Sequence, residues 1–397
     1  MAPDLPRKDL FELPEGVIYL DGNSLGPLPK GALDRARTVI GHEWRCDLIR
    51  AWNTADWISL PTRVGDRIAG LIGAPAGSVT TGDTLSIKVY QALAASLAMR
   101  PERRVILSDS GNFPTDLYMA EGLIKLVDRG YELRTPKPED VADCIADDVA
   151  AVMLTQVDYR TGRMHDMQAI TEAVQAAGAV MIWDLAHSAG AVPLDLAACG
   201  AEFAVGCTYK YLNGGPGAPA FIYVRPDLID DVEPVLAGWM GHDAPFAMER
   251  SYRPAMSTER LRVGTPPIIQ LSILDRALDV WEGIDMATVR AASIELSEHF
   301  IAEVEARCPS LCLASPRYPA ERGSQVSFAF AQGYPAMQAL IAHGVIGDFR
   351  APDIMRFGFT PLYLDKHDVH HAAEILEEVV SNDLWRDPKY QAVSRVT

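Results

Sequence analysis

Five short apolar runs, at 104–108, 150–155, 180–183, 203–207 and 220–224, punctuate the middle of the chain. Each has the length and the Val, Ile, Leu and aromatic content of a strand buried on both faces. Segments of helical period lie between them, as at 167–177, where Met167, Ile170, Val174 and Ala177 recur at helical spacing. Such alternation predicts an α/β fold in which a mostly parallel sheet carries helices on both faces. Ligands of such sheets gather at the carboxyl ends of the strands. The residues just after each run are therefore the ones to read for chemistry.

The run at 180–183 is followed by Asp184-Leu185-Ala186-His187, and the run at 203–207 leads into Thr208-Tyr209-Lys210-Tyr211-Leu212-Asn213-Gly214-Gly215-Pro216-Gly217. An Asp at a strand end, then an aromatic-flanked Lys on a glycine-rich loop, is an arrangement that holds pyridoxal 5'-phosphate (PLP) as a Schiff base. The cofactor is an electron sink only while its pyridine nitrogen stays protonated, which a buried Asp184 would enforce by charge pairing. Lys210 must reach the aldehyde, and one return connection and one strand separate it from Asp184. A lone lysine would be read as a surface residue; this context argues otherwise.

A phosphate needs a cradle upstream. Thr80-Thr81-Gly82-Asp83-Thr84-Leu85-Ser86 precedes a helical run at 87–99, placing Asp83, Thr84 and their N–H groups at a helix start, where an anion binds well. Phe113-Pro114-Thr115-Asp116 follows the first strand, so that Phe113 can cover the pyridine face and Asp116 reach its polar edge. Thr155 ends its strand and can offer a hydroxyl to the ring. His187, three residues past Asp184, can contact the other ring face or hold Asp184.

At 397 residues and 48% hydrophobic, the chain can bury a large core and a second domain. The expected division is an N-terminal segment, 1–60, packing near the active site, a large PLP-binding domain, 61–267, and a small α+β domain, 268–397. The last opens on an amphipathic stretch with Leu271, Leu274, Leu278 and Trp281 on one face. It continues through strands near 325–330 and 354–357 and helices near 335–343 and 368–380.

A net charge of −17 argues against nucleic acid or an anionic membrane as partner. No apolar run approaches a membrane span, and Met1-Ala2-Pro3-Asp4 opens no signal peptide, so the expectation is a cytoplasmic protein. Six scattered cysteines suit reduced thiols rather than a disulfide framework or a zinc site. His367 and His371 would share a helix face, yet no third ligand is evident there. That stretch is read as a polar helix start, and no metal is assigned.

The motifs together resemble those of the kynureninases, fold-type-I PLP enzymes related to aspartate aminotransferase and the cysteine desulfurases. The likeness begins at Tyr19-Leu20-Asp21-Gly22-Asn23-Ser24-Leu25-Gly26-Pro27-Leu28-Pro29 and runs through Phe113 to Asp116, Asp184 to His187, and Cys207 to Gly214. It continues in Gly238-Trp239-Met240-Gly241-His242 and Thr265-Pro266-Pro267, and ends in Arg356-Phe357-Gly358-Phe359-Thr360-Pro361-Leu362-Tyr363. The first of these, the Gly238 segment and the last are not general features of PLP enzymes.

The resemblance implies hydrolysis of L-kynurenine to anthranilate and L-alanine in a homodimer with its active site at the subunit interface. Lys210 would bind PLP and move protons, Asp184 would pair with the pyridine nitrogen, and Tyr209 would be an acid–base partner. Asp83, Thr84 and Tyr209 would bind phosphate, with Trp239 and Thr265 reaching in from the partner subunit. Phe113, Asp116, Thr155 and His187 would surround the ring, and Arg356 would grip the substrate carboxylate bidentately. Trp52 and Trp57 would line the aryl pocket, favouring kynurenine over its 3-hydroxy analogue. Two other readings stay open: a cysteine desulfurase, which needs a persulfide-forming Cys on a mobile loop, and a PLP-binding module without turnover.

Overall fold

The computed structural model of the protein describes residues 5–392. Met1-Ala2-Pro3-Asp4, read above as opening no signal peptide, lie outside them. In chain order the strands are β1 (Ile18–Tyr19), β2 (Val79–Thr81), β3 (Val105–Leu107), β4 (Glu132–Arg134), β5 (Val149–Thr155), β6 (Val180–Asp184), β7 (Phe203–Gly206) and β8 (Phe221–Val224). Then follow β9 (Cys312–Leu313), β10 (Gln325–Ala329), β11 (Val345–Ile346), β12 (Asp348–Arg350) and β13 (Ile354–Gly358).

A seven-stranded sheet in the order β2-β8-β7-β6-β5-β3-β4 is parallel except at β8. The five apolar runs are β3, β5, β6, β7 and β8. The outer strands β2 and β4 carry no such run, and their Val-Thr-Thr and Glu-Leu-Arg sequences have too few apolar residues to stand out.

Alternation along β6 shows how the sheet is covered. Val180 and Ile182 pack in a layer with Val89 and Leu93 of the helix Leu85–Met99. Met181 and Trp183 pack in the opposite layer with Val174 of the helix Met167–Ala176. Asp184 follows Ile182 by two and shares its face. The register sets Thr155 beside Asp184 and Asp184 beside Val205, so the strand ends deliver these groups to one place. Trp183 is fully buried, and its indole N–H donates to Thr171 Oγ1 at 3.0 Å.

The helix Ile268–Ala277 and the turn Leu278–Trp281 bury Leu271, Leu274, Leu278 and Trp281, as their spacing predicts, and lead to the second layer. There an antiparallel sheet, β12-β13-β10-β9, is backed by the helices Met286–Arg307, Gly333–Ala342 and Lys366–Ser381. Phe300 lies within ring-contact distance of Phe328, Phe357 and Phe359 in its core. A reciprocal capping box between Asp365 and Asp368 starts the last helix. The stretch 365–371 is thus a polar helix start.

The N-terminal segment clasps both layers. β1 runs parallel to β11, Gly358 N donates to Leu20 O at 2.7 Å, and Gly26 N donates to Tyr209 O at 2.8 Å. A methyl group at Gly26 would collide with the Lys210 carbonyl and Asn213, and one at Gly358 would collide with Asn23. The first and last segments of the sequence are glycine-bearing because their backbones press against each other and against the Lys210 loop.

Candidate active site

Lys210 lies on the loop after β7, with Nζ 2.9 Å from His187 Nε2. Burial, and then the charges of Lys210, Arg356 and Arg350, hold the His187 pKa well below its ordinary value, so the ring is neutral. Where Lys210 Nζ is the donor, Nε2 accepts and the ring hydrogen lies on Nδ1. That buried Nδ1 has no protein partner.

Two buried carboxylates meet beside it. Asp184 closes β6 and accepts from Ala186 N at 2.7 Å; Asp116 sits in the first turn of the helix Pro114–Val127. Burial raises Asp184, opposed by the Lys210 charge and the Ala186 amide. Burial and the neighbouring Asp184 charge raise Asp116 further, well above the carboxylate range. Burial thus favours a proton on the pair, while the Lys210 charge opposes it at Asp184. Asp116 Oδ2 is a second buried atom without a protein partner.

Thr155 donates to Asn112 Oδ1 at 2.5 Å, and the same oxygen accepts from Phe113 N at 2.7 Å. Asn112 was not singled out from sequence, although its place directly before Phe113 suits an Asx turn. Phe113 is half-exposed and packs edge-to-face on Tyr159, with centroids 5.2 Å apart.

Thr84, Leu85, Cys207 and Tyr209 line a cavity of about 210 Å³. Thr84 caps the helix Leu85–Met99 without a side-chain bond, so the first N–H groups of that helix are open to an anion. The Asp83 carboxylate is turned away to the fully buried Lys88, at 3.1 Å. A phosphate here would meet amide groups rather than the Asp83 side chain. Leu85, the first residue of that helix, also lines the cavity and could offer only its backbone N–H to an anion, which side-chain reading does not register. The Cys207 sulfur and then burial push the Tyr209 phenol above its ordinary range, so it keeps its proton at neutral pH.

Arg356 on β13 is fully buried opposite Asp348 of β12. Its Nε donates to Asp348 Oδ1 at 2.5 Å, and Nη2 donates to Asp348 Oδ2 and to Ser24 Oγ, the latter at 2.9 Å. Nη1 donates to Tyr159 O. Against the cost of burial, Arg356 and then Arg350 hold the Asp348 carboxyl below its usual range. Burial and the Asp348 charge push Asp21 up to about 7.

Trp52, Trp239 and Thr265 line a different cavity, of about 620 Å³, with Ile49, Asn53, Ile58 and Phe246. Trp57 is not part of it: it is buried and donates to Glu43 Oε2 at 2.8 Å, a packing role. Among the described residues no hydrogen bond, ion pair or ring contact joins Trp52, Trp239 or Thr265 to the Lys210 cluster.

An amine on a loop, a buried carboxylate at a strand end, unpartnered buried polar atoms and open helix amides form a donor set that fits PLP. A family model described as the kynureninase C-terminal domain matches residues 289–376. Along its full length the chain is 52% identical to a kynureninase of Burkholderia pseudomallei, covering 97% of that protein. It is 51% identical over 99% of its length to a kynureninase of Pseudomonas fluorescens, covering 96% of it.

The chain belongs to the kynureninase family.

Solved structures share this fold. A cysteine desulfurase from Thermococcus onnurineus superposes with a TM-score of 0.81 at 19% identity, covering 96% of this chain and all of that one. A C-DES variant with glycine covalently linked to its PLP cofactor gives 0.81 at 17% identity, covering 95% and 99%. Such distant likeness shows the fold alone. Kynureninase relatives along the whole length therefore outweigh the desulfurase reading, and membership in an enzyme family displaces the module without turnover.

Proposed function

We infer that the protein is a PLP-dependent hydrolase that cleaves the Cβ–Cγ bond of L-kynurenine, releasing anthranilate and L-alanine. The full-length similarity to kynureninases carries this reading, and the cluster of Lys210 with the buried His187, Asp184 and Asp116 supports it. When bound, PLP supplies an electron sink for carbanions at the substrate's α and β carbons.

Asp184, whose charged form the Lys210 charge and the Ala186 amide favour, is the group to pair with the ring nitrogen. Lys210 Nζ takes and returns the α-proton, oriented by the neutral His187 imidazole. Tyr209, protonated at neutral pH, is a donor to the β-carbon. Phe113, Thr155 and the amides after Thr84 position the cofactor. On Arg356, Asp348 occupies the Nε–Nη2 edge while Ser24 Oγ and Tyr159 O take the remaining Nη2 and Nη1 donors, so a substrate carboxylate would bind there by displacing Ser24 and Tyr159.

Trp52, Trp239 and Thr265 are assigned to the active site of a second copy in a homodimer. Their cavity is flanked by exposed Ile49, Phe246 and Trp239, an apolar surface that pairing would cover. Trp52 there would favour kynurenine over 3-hydroxykynurenine, an idea that faster turnover of the hydroxylated substrate would remove. The divisions near residues 60 and 267 are kept as domain boundaries, and the six unpaired cysteines support a cytoplasmic location. Among the described residues no helix is long and apolar enough to cross a membrane.

The test adds L-kynurenine to PLP-loaded protein and follows anthranilate fluorescence, with Lys210→Ala as control. Protein that holds PLP but forms no anthranilate overturns the reading.

A further inference from the structure

We propose that His299, Glu303 and His370 form a binding site for a divalent transition ion of the Zn²⁺ class, joining the helices Met286–Arg307 and Lys366–Ser381 on the outside of the C-terminal layer. The candidate site is empty in this structure. His299 and Glu303 are one helical turn apart, and His370 faces them from the second helix. His370 Nδ1 lies 3.1 Å from Glu303 Oε1, and His299 Nε2 lies 3.9 Å from the same oxygen. All three donor atoms fall within 4.8 Å of one another. Ligands about 2.0–2.1 Å from a tetrahedral Zn²⁺ stand about 3.3–3.4 Å apart, so the His370–Glu303 pair is already within that spacing and a small side-chain rotation brings His299 to it.

The two imidazoles lie nearly parallel, at 25°, with centroids 6.3 Å apart, so both can turn a nitrogen toward one point. The groups behind them are placed as outer partners of a metal site. Glu374 Oε1 stands 3.4 Å from His370 Nε2, the nitrogen facing away from Glu303, and can fix that ring's tautomer. Arg307 Nε donates to Glu303 Oε2 at 2.6 Å, leaving Oε1 for the ion. All three ligand side chains are partly exposed, so water can complete the coordination. Two imidazoles and one carboxylate with an open position suit Zn²⁺ and its neighbours rather than Mg²⁺ or Ca²⁺.

The carboxylates of the group Asp365, His367 and Asp368 are already engaged. Lys8 occupies both carboxylates, at 2.7 and 2.6 Å, and the helix cap uses them as well. No residue of the Lys210 cluster belongs to either group.

The experiment titrates PLP-loaded, chelator-dialysed protein with Zn²⁺ against a colorimetric chelator and repeats the melt with and without Zn²⁺. The wild type is expected to take up one equivalent and to melt higher with it, since an ion that binds only the folded chain stabilises it. His299→Ala and His370→Ala are expected to lose both effects, and Glu374→Ala to weaken binding about tenfold. Co²⁺ in place of Zn²⁺ should show no thiolate charge-transfer band, which distinguishes these ligands from the free cysteines. Unchanged kynurenine turnover and metal-free melting verify that the variants fold; Glu303→Gln replaces any that do not. Absence of a tight equivalent in wild type, or its retention in either histidine variant, overturns the proposal.

Discussion

Arg356 already holds a carboxylate, that of Asp348, and this shapes what its replacement should do. A lysine keeps the charge but cannot hold Asp348 and a substrate carboxylate at once, because it lacks the planar fork. Arg356→Lys is expected to raise KM about a hundredfold, the cost of one bidentate charge-assisted contact, while kcat falls less. Steady-state kinetics reads the split, and an unchanged KM would count against Arg356 as the carboxylate site. Asp21 gives a pH prediction of definite sign. Its pKa is raised in the folded chain to about 7, so it contributes stability that is complete below its unfolded value of about 4. That stability is lost as pH rises through about 7. The cofactor-free protein should melt lower at pH 8 than at pH 5.5, and Asp21→Asn should flatten the slope; a variant with the wild-type slope would exclude Asp21 as its source. Asp348 was not legible as Arg356's partner because strand register makes that pairing, and the intervening sequence carries no sign of it. Asp184 and Lys210 were legible because each ends or follows an apolar run.

The strands of the sheet core were readable because β5, β6 and β7 are buried on both faces and carry little else. β2 and β4 were not, since three residues at a sheet edge give no period to detect. The same burial makes β6 sensitive to truncation. Trp183→Ala removes a fully buried indole and its bond to Thr171, and is expected to cost about 3–5 kcal/mol. Denaturant unfolding of the PLP-loaded protein measures it; a loss below about 1 kcal/mol would mean that the layer behind β6 repacks. Trp57 illustrates the opposite limit. Its sequence neighbourhood resembles that of Trp52, and only the Glu43 carboxylate, fourteen residues away in sequence, marks it as core.

At the scale of the whole molecule, the separation of Trp52, Trp239 and Thr265 from the Lys210 cluster becomes a test of assembly. If each active site takes Lys210 from one copy and Trp239 from the other, Lys210→Ala and Trp239→Ala proteins are each impaired alone. Refolded together, they regain up to about one quarter of wild-type activity, because half of the random dimers contain one intact site. No recovery on mixing would place Trp239 outside the shared site.

The N-terminal clasp also orders the making of the enzyme in time. β1 and Ser24 leave the ribosome early, yet β11 and Arg356, which they must join, are synthesised near the end of the chain. The Lys210 pocket can gather from residues made in between, while β1 and Ser24 must wait for β11 and Arg356. Their docking closes a loop almost as long as the protein, the slowest kind of contact to form. A nascent chain can therefore acquire its cofactor pocket before it can grip a substrate.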